Sequence, residues 1–113
     1  MSAVNEWKVL PKNIGFLSLK GRIDNKTDDE INDAFDKILD QNGQSLILDF
    51  SEVGYLNSTG IATIMGIVKE VHTNGHKNCI VKLNADSRMM FEAIGLNRWV
   101  QYFDSFEDAV KAI

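Results

Sequence analysis

The 113-residue sequence holds one cysteine, one proline and two histidines. It has no apolar run approaching the ~20 residues that a membrane-crossing helix needs. Each scarcity excludes something. A lone thiol, Cys79, cannot form an internal disulfide. It sits in Cys79-Ile80-Val81-Lys82-Leu83, so a buried thiol on a strand and a reducing, cytoplasmic setting are expected. The opening Met1-Ser2-Ala3-Val4-Asn5-Glu6-Trp7 has no basic stretch leading into an apolar one, so no signal peptide is expected. No glycine-rich phosphate loop appears, and two histidines fall short of the three or four converging ligands of a metal site, so neither cofactor nor metal is expected. Positive charge is also in deficit: 12 Lys and Arg stand against 16 Asp and Glu, a net −4. With no basic run, nucleic acid and anionic membrane are poor partners, and another protein is the expected one.

What is present is globular. Apolar residues make up 44% and charged residues 25%, and the length suits a single domain spanning residues 1–113. Trp7–Leu10 and Gly15–Lys20 read as two strands joined by the turn Pro11-Lys12-Asn13. Thr27-x-x-Glu30 reads as a capping box, and Ile31, Ala34, Phe35, Ile38 and Leu39 then recur on one helical face until Asn42-Gly43. Ser45–Phe50 is apolar on both faces, as a covered central strand reads, and Ser51–Leu56 reads as a loop. A second helix begins around Asn57 to Gly60. Its expected core face is Ile61, Ile64, Met65, Val68, Val71 and His72. Asn78–Leu83 is a further strand. Asp86 is the expected cap of a third helix carrying Met89, Met90, Ala93 and Ile94. Val100–Phe103 is a short edge strand, and Ser105 caps a last helix carrying Ala109, Val110 and Ile113. The order predicts an α/β fold: a mixed, mostly parallel sheet of about five strands with four helices. Ile31, Phe35, Ile38, Leu48, Ile61, Ile64, Met65 and Ile80 are expected in the core. In such sheets functional loops follow the carboxyl ends of strands, which here are Arg22–Lys26 and Ser51–Gly60.

The densest chemistry lies in Leu48-Asp49-Phe50-Ser51-Glu52-Val53-Gly54-Tyr55-Leu56-Asn57-Ser58-Thr59-Gly60. A buried strand leads to a helix start rich in hydroxyls. Asn57 or Ser58 suits the N-cap, and a phosphate placed there would meet the positive end of the helix. Structural capping and a modification site both remain open from chemistry alone. Beyond lies a stripe of small residues, Thr59, Ala62, Thr63 and Gly66, next to the core face. At Gly66, docking of a partner and tight packing against the chain's own sheet are both open.

The run L-D-F-S-x-V-x-x-L-N-S-T-G resembles the signature of STAS-domain anti-sigma factor antagonists, D-x-S-x-V-x-x-[IL]-D-S-[ST]-G. Gly21-Arg22-Ile23-Asp24, Gly75, Gly95-Leu96 and Ser105–Val110 resemble further family positions in the same order. The resemblance implies a STAS-like fold and a partner switch. It makes Ser58 the residue phosphorylated by a serine kinase that is also the anti-sigma factor, with a phosphatase to reverse the modification. It implies that the unphosphorylated form binds that kinase, freeing the sigma factor. The expected contact surface joins the helix start and the small-residue stripe to the neighbouring loop: Asp24, Asn57, Ser58, Thr59, Gly60, Ala62, Thr63 and Gly66. The family's usual Asp before the serine is Asn57 here. That keeps a second reading open: a STAS subunit of a lipid-transport or stress-sensing complex that is never phosphorylated.

No enzyme is expected. Leu56-Asn57-Ser58-Thr59-Gly60 lacks the first glycine of a nucleophile elbow. His72 lies about 20 Å along the same helix from Ser58 at 1.5 Å per residue, and His76 is beyond the helix end, so no base reaches the hydroxyl.

Overall fold

The computed structural model describes residues 2–113. The chain runs β1 (Val4–Leu10), β2 (Ile14–Ile23), α1 (Asp28–Asp40), β3 (Leu46–Leu56), α2 (Ser58–Thr73), β4 (Asn78–Val81), α3 (Ala85–Ala93), β5 (Gln101–Phe103) and α4 (Phe106–Ala112), with short 3-10 turns at Pro11–Asn13 and Leu96–Arg98. One five-stranded sheet has the order β1-β2-β3-β4-β5. β1 is antiparallel to β2, and every later pair is parallel. This is the mixed, mostly parallel sheet with four helices that the sequence predicts.

The two faces of the sheet are covered unequally. On the first face, α1 and α2 set Ile31, Phe35, Ile38, Ile61, Ile64 and Val68 against Leu17, Leu19, Leu46, Leu48 and Ile80, with Phe91 of α3 closing the far side. On the second, only α4 covers Ile14, Phe16, Ile47, Cys79 and Val81, through Ala109 with Phe106 and Val110 at its margin. Alternation along β3 explains the division: Leu46, Leu48 and Phe50 face one way, Ile47 the other. Burial pushes the Cys79 thiol up to about 11, so it stays protonated and inert.

Several expectations need correction. Ser51–Leu56 is not a loop but the outer half of β3, paired with β2 from Lys20↔Glu52 to Ile23↔Leu56. Two register shifts interrupt that ladder, so the buried residues, Val53 and Leu56, are three apart. A strand carrying bulges does not show the period of two by which sequence patterns reveal strands. In α2, Met65 is only half-buried and His72 is exposed; Ile67 takes an inward place instead. In α3 the cap is Asn84, which accepts a hydrogen bond from Ser87 N, and not Asp86. Its inward residues are Ser87 and Phe91, while Met89, Met90 and Ile94 are 68%, 38% and 40% exposed and Ala93 is exposed as well. Two helical faces compete in that short segment, and the edge-to-face contact of Phe91 with Phe50, centroids 5.9 Å apart, decides between them. Leu39, Val110 and Ile113 are half-buried.

The capping box also fails to form. Thr27 stands at the N-cap of α1, but its side chain makes no cap bond. Its Oγ1 donates to Asp24 O and accepts from Asp24 N, both at 3.0 Å. Glu30 turns away from Thr27 and accepts from Ala3 N at 2.7 Å, Val4 N at 3.2 Å and the Ser2 hydroxyl, tying the start of the chain to α1. Burial works to raise the Glu30 carboxyl, yet these hydrogen bonds outweigh it and hold the group below its ordinary value.

Candidate functional site

β2 and β3 end side by side, with Ile23 opposite Leu56, so the next residues, Asp24 and Asn57, emerge together at the carboxyl rim of the sheet. Asn57 N donates to Ile23 O at 3.3 Å, fixing the junction between strand and helix. The Asn57 backbone is extended, and its Oδ1 accepts from Gly60 N at 2.9 Å, satisfying one of the helix's orphan donors. One residue alone thus separates β3 from α2.

Gly60 explains how close the two elements come. A Cβ there would collide with the carbonyl oxygen of Ile23 and lie 2.8 Å from its carbon. Any side chain would push α2 off the end of β2. Gly60 is buried, so it positions the site and presents no surface of its own.

Ser58 and Thr59 open the first turn of α2, and both are exposed. No acidic residue shares that turn, so the helix's positive end is uncompensated by its own side chains. Ala62 and Gly66 continue outward and are exposed. Nothing lies within 4 Å of a Cβ built on Gly66, which removes the reading of tight packing against the sheet. Thr63 is half-buried, and its hydroxyl donates to Asp28 Oδ1 at 2.5 Å, joining α2 to α1. Asp24 is half-buried; its Oδ1 accepts from Lys26 N at 2.9 Å and its Oδ2 lies 3.7 Å from Arg22 Nε. The sequence-predicted residues therefore run from the rim along the first half of α2, and of them Ser58, Thr59, Ala62 and Gly66 are exposed.

Two features escaped the sequence reading. Arg22 stacks over Tyr55, its guanidinium carbon 4.1 Å from the ring centroid. The two are opposite each other on β2 and β3, a pairing invisible while 51–56 reads as a loop. Beside it a depression of about 420 Å³ is lined by Ser2, Arg22, Asp24, Lys26 and Thr27. Met89, Met90 and Ile94 of α3 form an exposed apolar face, which the competing periodicity of that helix conceals in the sequence. The histidines lie elsewhere, His72 near the end of α2 and His76 beyond it.

A family model described as "STAS domain" matches residues 8–109. Among solved structures, the chain is similar to a Thermotoga maritima protein at 18% identity, with 96% of this chain and 92% of that one covered and a TM-score of 0.84. It is similar to the Bacillus cell fate determinant SpoIIAA in its phosphorylated form at 17% identity, covering 95% and 96%, TM-score 0.76. It is also similar to an anti-sigma factor antagonist from Mycobacterium paratuberculosis at 20% identity, covering 100% and 98%, TM-score 0.77. At such identities the likeness is one of fold.

Proposed function

The chain belongs to the STAS domain family, and from that premise we propose that it is an anti-sigma factor antagonist, one domain acting as a partner switch and not as an enzyme. Unphosphorylated, it binds an anti-sigma factor that is also a serine kinase and releases the sigma factor in the cytoplasm. Phosphorylation of Ser58 ends the binding, and a phosphatase restores it. The observation that carries this reading is the exposed Ser58 hydroxyl at the first position of α2, set there by the Asn57 cap and the close approach at Gly60. The fold shared with SpoIIAA, a protein solved in phosphorylated and unphosphorylated forms, supports it.

The switch works locally. The contact surface comprises Ser58, Thr59, Ala62 and Gly66, with Asp24, Asn57 and Thr63 at its edge and Gly60 beneath it. A phosphate adds about −1.5 to −2 charges in its middle. The helix end tolerates that charge, so the fold stays as it is. At a close-packed interface the same charge must be desolvated, at several kcal/mol if left unpaired, which lowers affinity by ~10³ at 1.4 kcal/mol per tenfold. Ser58→Asp is expected to weaken binding to the kinase while leaving the circular dichroism spectrum and Tm nearly unchanged. Ser58→Ala is expected to bind permanently. Calorimetric titration of wild type and both variants against the kinase tests this, and equal affinity for all three defeats the switch.

One observation favours a second reading. Asn57 makes the cap bond to Gly60 N without the charge that the family's usual Asp would place beside Ser58. A STAS subunit of a lipid-transport or stress-sensing complex, never phosphorylated, needs no such charge. The intact mass of the protein from its own cells separates the two: a single added phosphate lost in Ser58→Ala supports the switch.

A further inference from the structure

The second face of the sheet has an incomplete roof. α4 covers Ile14, Phe16, Ile47, Cys79 and Val81, but Leu10, Phe106 and Val110 at the margin of that cluster stay half-buried. A groove of about 290 Å³ opens there, between α4 and the turn joining β1 to β2. It is lined by Leu10, Pro11, Lys12, Ile14, Phe106 and Val110. Ile14 begins β2, whereas Ser58 follows the far end of the parallel β3. The ten residues of β2, at about 3.3 Å each, put the groove and Ser58 about 30 Å apart, so the groove is separate from the proposed switch. Lys12 is the one charged residue among the six. It is exposed and makes no ion pair among the described residues, although the chain carries a net −4.

A second observation is independent of the lining. Lys12 has φ 68° and ψ 21°, in the left-handed region that glycine enters without cost and that Asn tolerates better than Lys. Asn13 beside it, at φ 57°, is of the tolerant type; Lys12 is not. The turn thus holds a long cation where local geometry favours a residue without one, and a backbone outlier of this kind points to a use for its side chain. Size narrows what that use is. A cavity of about 150 Å³ holds one benzene ring, so a groove of about 290 Å³ takes a single chain of about ten carbons. A docked protein surface buries about 1,000 Å² or more, far beyond this gap in the roof. The occupant that fits is one alkyl chain with an anion at the Lys12 end.

We propose that this groove binds a free fatty acid of medium chain length. The alkyl chain completes the roof over Ile14 between Phe106 and Val110, and the carboxylate lies on the Lys12 ammonium. The full-length chain, ¹³C-labelled at its methyl groups, is titrated with decanoate and with decanol and decyltrimethylammonium as neutral and cationic counterparts, all below their micelle thresholds. Saturable shifts are expected at the methyl groups of Leu10, Ile14 and Val110 with decanoate, and binding at least threefold weaker with either counterpart, the scale of an exposed ion pair. Affinity is expected to fall about fourfold for each methylene removed on going to octanoate and hexanoate, since ~0.8 kcal/mol per buried CH₂ converts at 1.4 kcal/mol per tenfold. Lys12→Gln is expected to bind decanoate at least threefold more weakly and decanol as wild type does. Lys12→Gly, which relieves the left-handed backbone, is expected to melt close to wild type and to lose the same affinity, separating recognition from folding. Equal affinity for decanoate and decanol, no dependence on chain length, or full decanoate binding by both variants overturns the site. Co-sedimentation with phosphatidylglycerol vesicles in the absence of decanoate binding does so too, in favour of a membrane-facing surface, as does a concentration-dependent dimer that shields the same methyl groups, in favour of a second copy.

Discussion

The two faces of the sheet differ in what they hold. The first is closed by α1, α2 and α3 over one continuous apolar core that reaches the carboxyl rim, where Ser58 is presented. The second has one helix of seven residues over a small cluster, and the half-buried Asp49 and the contact of Asn5 with Ser18 and Glu52 make the remainder polar. Stability and the positioning of the candidate site are thus invested in the same face. Its helices cannot be disturbed without moving the rim, whereas the other face can be weakened with the rim left in place.

The largest expected effect tests that division directly. Phe35→Ala empties the middle of the first face, where Phe35 is 4% exposed, and should cost ~3–5 kcal/mol; a denaturation midpoint near wild type would show that α1 carries little of the core. Gly60→Ala comes next. Forcing a methyl against Ile23 should cost ~1–3 kcal/mol and should also shift the amide resonances of Ser58 and Thr59, which a core substitution of equal cost on the second face would leave alone. Phe106→Ala is that second-face counterpart. Phe106 is half-buried and packs edge-to-face on Phe16 with centroids 5.3 Å apart, so about 1–2 kcal/mol is expected with an unshifted Ser58 resonance. Smallest is Glu30→Gln. The folded carboxyl lies below 4.5, so its contribution is complete above that pH and lost as pH falls through the folded value. The variant should be less stable than wild type at neutral pH by about 1 kcal/mol, the scale of solvent-screened hydrogen bonds to a carboxylate, and equal to it in acid. Urea midpoints at both pH values check this.

The fold was legible where one rule governs a segment. α1 has a continuous periodic face, β3 begins as an unbroken apolar run, and Asn57 and Ser105 have side chains that can do little except cap; their bonds to Gly60 N and Asp108 N are present. Legibility failed where tertiary partners choose between local solutions. Thr27 and Glu30 spell a capping box, but the start of the chain offers Glu30 three donors and the box loses. The second half of β3 is a strand because β2 extends beside it, which no window of its own residues encodes. α3 has two plausible faces, and Phe50, distant in sequence, selects one. At the site, the motif located Ser58 and its neighbours on one rim, while the Arg22–Tyr55 stack depended on a strand pairing that the pattern concealed.

The rims of the sheet carry one more consequence. β5 offers only three residues to a further strand. At the opposite rim the β1 ladder slips between Val4 and Glu6, and Glu6 and Lys8 pair as ions 3.2 Å apart along the strand. Short, kinked and charged rims are poor templates for backbone pairing. The sheet is in effect a finished polymer with both chain ends terminated. Recognition of this domain is therefore expected to be written in side chains, read off helices and loops, because the backbone edges it leaves open are short, slipped in register or charged.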